Sequence, residues 1–447
     1  MKPKAKKVSQ GVKRAVFYQI FLRAFTREGT IAAATKMLPE IADLGVTHVY
    51  LCPIAESDDD MNPQFWSDRQ KQSGFKNPKN PYRIKDYFKI DSEYGTDEDL
   101  LEFVNRAHSL GLKVLLDLVF IHCGPTAVFL SGHPDFIMRE SDGTPHCLSW
   151  HFPGLNFDNL ELREYLWSNM TYFVEKFDVD GYRCDVGDGI PLDFWIEGRK
   201  RIEKIKPNIV MLNEGVKGEA LLEAFDINYN FDFRIALCDA LQNTVGADTV
   251  RENCEKVKAE YPENGRCIRC MDNHDTASDS YENRFEIALG PGGIEAGFAV
   301  IFTLDGVPMI YNGNEACDDS RHSIVSNRYF GGLHVKWENA LTEKGAKRRK
   351  LLKQLAEIHK NEPAIYDGDI CWLENSNPQR ILSYMRSYED EKIIVLVNTD
   401  AKKQTVEIEC NAALQKELLS FGTQLEFKNG KINADFEHKG YIIFKAE

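Results

Sequence analysis

The sequence lacks three features that would assign it to a specialised class of protein. No stretch approaches the roughly 18 consecutive apolar residues of a membrane span, and there is no internal repeat or low-complexity tract. Basic residues are in deficit, because 55 lysines and arginines face 69 acidic residues, for a formal charge of -14. This negative charge disfavours binding to nucleic acid and to anionic membranes. We therefore expect neither as a partner, and a neutral substrate suits the charge better.

A secretory signal is also absent, since residues 1–14 are basic and polar without an apolar core. We therefore expect the chain as given to be cytoplasmic. The eleven cysteines are an odd number without the regular spacing of a disulfide framework. Many lie within predicted strands or helices, which predicts reduced, buried thiols; examples are Cys52, Cys184, Cys238, Cys267 and Cys371.

Short apolar, β-branched and aromatic runs alternate with helical patterns over the first 364 residues. The predicted strands are residues 16–22, 48–52, 112–120, 181–185, 209–213, 228–233, 267–271 and 307–311. Apolar residues recur at three- and four-residue spacing in predicted crossover helices at 97–110, 160–177 and 193–205. Parallel strands joined by such crossovers predict an α/β fold, a (β/α)8 TIM barrel.

Two regions lie outside this alternation. Residues 55–82 and 121–156 are longer than barrel turns require, and long loops at strand ends usually serve function. From residue 365, strands are predicted at 380–388, 392–398 and 404–409, with a hairpin signal at Asn429-Gly430. We therefore predict a barrel from residues 1–120 and 160–364, a short inserted domain after the third strand at 121–159, and a C-terminal antiparallel β-sandwich domain at 365–447.

Three acidic residues lie at or just after the ends of predicted strands: Asp185, Glu214 and Asp275. A barrel gathers such residues at one rim. Arg183 precedes Asp185 by two residues, so the two side chains share one face of the strand, and the guanidinium favours an ionised Asp185. The apolar strand before Glu214 would raise the pKa of that residue. One acid alone is more often a helix cap, but an ionised and a protonated carboxyl together can cleave a glycosidic bond.

Several segments resemble the α-amylase superfamily, glycoside hydrolase family 13. Tyr18-Gln-Ile-Phe-Leu-Arg23 is similar to its first-strand signature, and Gly306-Val-Pro-Met-Ile-Tyr-Asn-Gly-Asn-Glu315 to its eighth-strand signature. The four conserved regions follow in family order, as Asp117-Leu-Val-Phe-Ile-His122, Gly181-Tyr-Arg-Cys-Asp185, Glu214 and Asn273-His-Asp275. The resemblance implies that Asp185 is the nucleophile, Glu214 the acid/base and Asp275 the transition-state stabiliser. It also implies that four further residues line the subsite of the attacked glucose: Tyr82, His122, Arg183 and His274.

Departures from the family pattern concern metal binding and linkage. The family's calcium-binding Asn before its His is Ile121 here, and the acid of its Asp-Leu-Asn motif is Gly154. Neither side chain offers oxygen to calcium, so we predict no calcium and no other metal or cofactor. Val186, directly after the nucleophile, occurs in members that cleave α-1,6 bonds.

The predicted function is retaining hydrolysis of α-glucosidic bonds in malto-oligosaccharides or related α-glucans by double displacement. Three alternatives stay open. A transglycosylase would use the same intermediate, an oligosaccharide glucosidase would be specific for α-1,6 bonds, and a catalytically silent relative would bind glucan or a partner protein. The sequence does not indicate the oligomeric state.

Overall fold

The computed structural model describes residues 2–279, 284–290, 292–428 and 430–447. The strands are β1 (Phe17–Ile20), β2 (His48–Leu51), β3 (Ala55–Ser57), β4 (Ile84–Ile90), β5 (Lys113–Leu118), β6 (Gly181–Cys184), β7 (Val210–Asn213), β8 (Ile227–Asn228), β9 (Ile268–Cys270), β10 (Val307–Tyr311), β11 (Asp369–Trp372), β12 (Ile381–Tyr388), β13 (Glu391–Asn398), β14 (Gln404–Glu409), β15 (Leu414–Lys428) and β16 (Lys431–Ala446).

The helices are α1 (Gln10–Lys13), α2 (Leu22–Phe25), α3 (Ile31–Asp43), α4 (Asp68–Gln72), α5 (Asp97–Ser109), α6 (Leu160–Phe177), α7 (Leu192–Ile205), α8 (Ala220–Glu223), α9 (Phe231–Leu241), α10 (Asp248–Glu260), α11 (His274–Asp279), α12 (Phe285–Ala288), α13 (Gly293–Thr303), α14 (Glu343–Asn361) and α15 (Pro363–Tyr366). Among the residues described, none of these helices has the length and apolar character needed to cross a membrane.

Eight parallel strands form the first sheet, in the order β8-β7-β6-β5-β2-β1-β10-β9. Its two ends meet through a parallel bridge between Asn228 and Cys267, where the N–H of Asn228 donates to the carbonyl of Arg266 at 3.0 Å. These contacts bring the sheet round into a barrel and confirm the predicted (β/α)8 fold. Alternate apolar side chains, such as Leu115 and Leu212, fill its interior.

The predicted strand at residues 228–233 is wrong beyond its first residue. β8 ends at Asn228, and α9 begins at Phe231. The side chain of Asn230 accepts the backbone N–H of Phe233 at 3.0 Å, which satisfies a donor in the first helical turn. This cap starts a helix where the aromatic run in the sequence suggests a strand.

The two long connections lie at the carboxyl ends of β2 and β5. Residues 55–82 are more regular than expected, because β3 pairs with β4 and Ser67 caps α4 by accepting the N–H of Gln70 at 3.2 Å. The inserted segment, residues 121–159, consists of two 3₁₀ turns (Val128–Ser131 and Pro134–Phe136) and isolated bridges such as His122 with Gly154. Both connections border the rim where the predicted site residues lie.

The C-terminal strands form an antiparallel sheet in the order β11-β12-β13-β16-β14, with β15 also paired to β16. The long strand β16 pairs with β14 over residues 431–436 and with β13 over 441–446. Of the predicted hairpin Asn429-Gly430, Asn429 lies outside the described residues. The sheet contacts the barrel at Thr303, whose hydroxyl lies 2.6 Å from that of Tyr384. Cys371 is exposed on β11, at the sheet edge, whereas the other four cysteines predicted to be buried are buried.

Candidate active site

The carboxyl ends of β5, β6 and β7 bring four charged side chains together. The register of β5 and β6 sets Asp117 beside Arg183. Asp185 follows β6, and Glu214 follows β7. Gly181 allows β6 and β7 to approach closely, because a Cβ there would lie 2.0 Å from the carbonyl oxygen of Val210. Adjacent parallel strands thus place three carboxylates around one guanidinium.

Arg183 is fully buried and is shared by these carboxylates. Its Nη1 donates to both oxygens of Asp117, at 2.8 and 2.9 Å, and to Oδ1 of Asp185 at 2.8 Å. Its Nη2 lies 2.6 Å from Oε1 of Glu214, as an ion pair without the alignment of a hydrogen bond. One positive charge therefore faces three acids, and the cluster carries an excess of negative charge when all are ionised.

Burial raises the pKa values of the two candidate catalytic acids by different amounts. Burial is the main cause that raises the pKa of Glu214 to about 8, with Asp185 and Asp275 adding to it and Arg183 opposing it. Burial likewise raises the pKa of Asp185 to about 6, against the opposing effect of Arg183. Glu214 is therefore the more readily protonated of the two acids, and Asp185 is the more readily ionised.

A strained turn holds the carboxyl group of Glu214. Oε2 of Glu214 accepts the backbone N–H of Val186 at 2.9 Å. Val186 has φ 44° and ψ 44°, a left-handed conformation that is costly for a β-branched residue. The N–H of Gly187 donates to the Glu214 carbonyl at 3.2 Å. Together these bonds fix the acid beside Asp185.

Tyr82 and His274 form a second group in the site. Their rings stack at 5.4 Å between centroids, and the Tyr82 hydroxyl lies 2.6 Å from Nε2 of His274 and 3.1 Å from Oδ2 of Asp117. Nδ1 of His274 lies 2.7 Å from the amide nitrogen of Gln19. Burial lowers the pKa of His274 to about 4. A neutral His274 with its proton on Nε2 satisfies both contacts, accepting from Gln19 and donating to Tyr82.

Asp275 has the opposite electrostatic environment from Glu214. Burial raises the pKa of Asp275, but the charges of His274 in its protonated form, of Arg69 and of Arg183 outweigh burial and lower it. Nη1 of Arg69 lies 2.9 Å from Oδ1 of Asp275. Because His274 is neutral at pH 7, the two arginines keep Asp275 ionised.

These residues surround a cavity of about 380 Å³, within the range of small-molecule sites. Six of the seven predicted site residues line it: Tyr82, His122, Asp185, Glu214, His274 and Asp275. Arg183 is buried and does not line the cavity. His122 contacts two aromatic rings, those of Trp150 at 5.4 Å and Phe152 at 5.0 Å. The structure thus brings all seven predicted residues into one site.

Comparison with known proteins agrees with this geometry. The family model of the α-amylase catalytic domain matches residues 9–135 and 145–369 of the sequence. The family model of the maltogenic amylase C-terminal domain matches residues 370–441. The chain belongs to the α-amylase family. This confirms the resemblance found in the sequence.

Members of the α-amylase family that resemble this chain include the α-amylase MalA of Haloarcula japonica, 26% identical over 414 residues that cover 88% of this chain and 56% of that protein. A cyclomaltodextrinase of Geobacillus thermopakistaniensis is 27% identical over 402 residues, covering 83% and 62%. The chain thus spans less than two thirds of either relative. The crystal structure of the maltogenic α-amylase AmyB from Thermotoga neapolitana has a TM-score of 0.83 at 25% identity, covering 97% of this chain and 99% of that one.

Three residues of this α-amylase-family site were not predicted: Asp117, Arg69 and Trp150. Asp117 had a signal, because it is an acid within an otherwise apolar strand next to the strand of Arg183. Arg69 and Trp150 lie in the two long connections, where the sequence shows no periodicity that predicts the direction of a side chain. Within the described part of the chain, no three His, Cys, Asp or Glu side chains are grouped to hold a metal ion.

Proposed function

We propose that the protein is a retaining glycoside hydrolase that cleaves α-glucosidic bonds in malto-oligosaccharides or related α-glucans. The observation that supports this most is the pair Asp185 and Glu214, which share Arg183 but differ in pKa, about 6 for Asp185 and about 8 for Glu214. An ionised nucleophile and a protonated acid are what the first step of double displacement requires.

In that step, the protonated carboxyl of Glu214 gives its proton to the glycosidic oxygen as the bond from this oxygen to the anomeric carbon breaks. The carboxylate of Asp185 attacks the same carbon and forms a glycosyl ester. The leaving sugar departs as an alcohol, and Glu214 becomes ionised. Loss of the Asp185 charge removes the repulsion between the two groups at this stage, which lowers the pKa of Glu214 and suits it to its next role.

In the second step, ionised Glu214 takes a proton from water as the water oxygen attacks the anomeric carbon. The ester bond breaks, Asp185 regains its charge, and the product keeps the α configuration. The ionised Asp275 stabilises the positive charge that develops on the sugar in both steps. His122 and Tyr82, both lining the cavity, provide contacts for the bound glucose, with Tyr82 stacking on the ring.

The names of the relatives support an α-glucan substrate, because they are α-amylases, cyclomaltodextrinases and maltogenic amylases. A silent binding relative suits the site less well. Burying several carboxylates around one cation costs stability. A protein that only binds glucan has no need for that arrangement. We also propose that no metal or cofactor takes part, since the side chains of Ile121 and Gly154 offer no oxygen ligand.

The test is turnover of maltotriose, isomaltose and soluble starch by the wild type and by Asp185→Asn, with chromatography of all products. We expect wild-type turnover with an α-anomeric first product, seen by NMR, and its loss in Asp185→Asn. Asp193→Asn, an exposed acid on α7, is the matched control and should retain activity. Full turnover by Asp185→Asn would exclude the proposed nucleophile, and no turnover of any α-glucan by the wild type would exclude the substrate class.

The same products distinguish hydrolysis from transfer and compare linkages. At high sugar concentration, products longer than the substrate would show that a second sugar replaces water in the second step. Preference for isomaltose over maltotriose would support the α-1,6-specific alternative.

A further inference from the structure

A line of side-chain contacts crosses the mouth of the barrel. Nε2 of His151, in the inserted segment, lies 2.9 Å from Oδ1 of Asp68, and Nη1 of the next residue, Arg69, lies 2.9 Å from Oδ1 of Asp275. Asp68 and Arg69 begin α4, which follows β2, whereas Asp275 follows β9. We call these four residues the contact line.

The order of the strands shows how the contact line divides the mouth. Going around the barrel, β1 and β10 lie between β2 and β9 on one side, and β5, β6, β7 and β8 lie between them on the other. The larger side includes Asp185 and Glu214. The contact line therefore separates the candidate catalytic pair from the rim above β1 and β10.

The smaller side is filled by protein. Nδ2 of Asn77, after α4, donates to the carbonyl of Val325, after β10, at 2.9 Å. Nη1 of Arg23 joins the same two segments, donating to the carbonyls of Ile324 at 2.6 Å and Lys79 at 3.1 Å. The segments after β2 and β10 are thus bonded to each other behind α4. Among the residues that the structure describes, Ile324 forms part of the cavity wall on this side, so a glucan chain would meet protein in that direction.

The larger side remains open to solvent. The cavity of about 380 Å³ extends to Val186 and Trp150, and Trp150 is 40% exposed. Val216, two residues after Glu214, is also exposed. Because Glu214 would protonate the leaving oxygen, the departing part of the substrate would exit over this side.

We infer that the contact line makes the site a pocket for chain ends, so that the enzyme removes short units from the non-reducing end of an α-glucan and does not cut within a chain. This inference rests on the proposed function. The glucosyl unit that bonds to Asp185 through its anomeric carbon extends from there toward the non-reducing end. That end faces the contact line, and any further sugars would have to pass through it.

The test compares two malto-oligosaccharides of equal length, one with a free non-reducing end and one whose terminal O4 and O6 are blocked by a cyclic acetal. An enzyme that cuts within chains treats them alike. We expect the wild type to have kcat/KM about tenfold or more lower for the blocked sugar, which equals about 1.4 kcal/mol or more of discrimination. Equal values would overturn the inference.

Calorimetric titration of the two sugars into Glu214→Gln needs no turnover and separates this inference from the proposed function. Tighter binding of the free sugar, by about tenfold or more, supports the inference even if the wild type hydrolyses neither sugar, a result that would refute only the proposed function. Equal affinity, or binding of neither sugar, overturns the inference.

Variants locate the cause of the discrimination. Arg69→Ala and Asp68→Ala each open the contact line, and we expect the ratio of blocked to free kcat/KM to rise in both. Arg69→Lys should restore the ratio in part, because a lysine can still pair with Asp275. Lys76→Ala, at an exposed position of the same connection, should leave the ratio unchanged. A ratio does not depend on the folded fraction, so general destabilisation would not change it. An unchanged ratio in both alanine variants would overturn the role of the contact line.

Discussion

Two buried arginines at opposite ends of the barrel have very different surroundings. Arg199, on α7, lies near the amino ends of β7 and β8. Its Nη1 and Nη2 donate to the two oxygens of Asp226, at 2.8 and 3.1 Å, and also to the carbonyls of Ala224 and Ile209. Nε donates to Glu203 at 2.8 Å. The guanidinium thus has an acceptor for each nitrogen and a bidentate acid.

Arg183, at the carboxyl ends of the strands, is shared by three acids and has no hydrogen-bond acceptor for Nε or Nη2. The difference indicates that Arg199 and Asp226 join strands and helix, whereas Arg183 holds carboxyl groups whose pKa values differ. Cavity size alone would not reveal this. A cavity of about 420 Å³ lies near the amino ends of the strands, against about 380 Å³ at the candidate site.

The strongest test of this comparison is the same substitution at both ends. Asp185→Asn should lower kcat by about 10⁴-fold or more, as loss of a nucleophile does, with little loss of stability. Asp226→Asn should retain kcat per folded molecule but lose about 3–5 kcal/mol of unfolding free energy, because it removes the buried, bidentate acid of Arg199 and leaves only the partly exposed Glu203. Initial rates and urea unfolding measure both quantities. Equal destabilisation by the two substitutions would contradict the different roles inferred for Arg199 and Arg183.

The second prediction concerns pH. The proposed mechanism requires ionised Asp185 and protonated Glu214, whose pKa values are raised by burial to about 6 and about 8. We expect kcat/KM to be maximal between these two pKa values. Below the lower value and above the higher one, it should fall about tenfold per pH unit. Because the acids interact, the two apparent pKa values of the profile describe the coupled acids together and not one residue each. Initial rates at low substrate concentration from pH 4 to 10 measure the profile, and a rate that stays constant to pH 10 would contradict the role of Glu214.

The barrel and most of the site could be predicted from the sequence because both depend on strands. Arg183 and Asp185 are two residues apart, so their shared face follows from the pleat. Glu214 and Asp275 follow apolar runs whose parallel ends must meet at one rim. The structure confirms the (β/α)8 fold and brings these residues together. Their catalytic roles remain predictions.

The parts that could not be predicted depend on contacts between segments far apart in sequence. Arg69 lies 206 residues before Asp275, and no periodicity in a connection indicates which strand end a side chain will reach. The incorrect strand at 228–233 has another cause. Aromatic residues favour a strand there, but the cap from Asn230 to Phe233 and the burial of Phe233 in a helix outweigh that local preference.

A third, smaller effect concerns stability at the candidate site. The pKa of Glu214 is raised on folding, so between the unfolded pKa, near 4, and about 8 the native state binds more protons than the unfolded state. Stability conferred by the neutral carboxyl therefore falls as pH rises through this window. Glu214→Gln removes this loss and should be more stable than the wild type by about 1 kcal/mol at pH 8.

Urea unfolding of the wild type and Glu214→Gln at pH 5 and pH 8 tests this. The advantage of the variant should be smaller at pH 5, where Glu214 is neutral in the native state. Asp226→Asn provides the contrast at the other end of the barrel, since it should destabilise at both pH values. A Glu214→Gln variant less stable than the wild type at pH 8 would show that the carboxylate stabilises the fold.

The smallest expected effect is that of removing calcium. Apolar packing occupies the two positions where the family resemblance implies ligands: a Cβ on Gly154 would lie 2.4 Å from the terminal methyl of Met138, and a Cβ on Gly189 would lie 2.4 Å from Cδ1 of Ile121. We therefore expect a chelator to shift the midpoint of thermal unfolding by less than about 1 °C, and calcium to have no effect on adding it back. A cation held at a hundred times its Kd would contribute about 2.7 kcal/mol. A fall of several degrees that calcium reverses would therefore contradict the predicted absence of a metal and point to ligands other than these two residues.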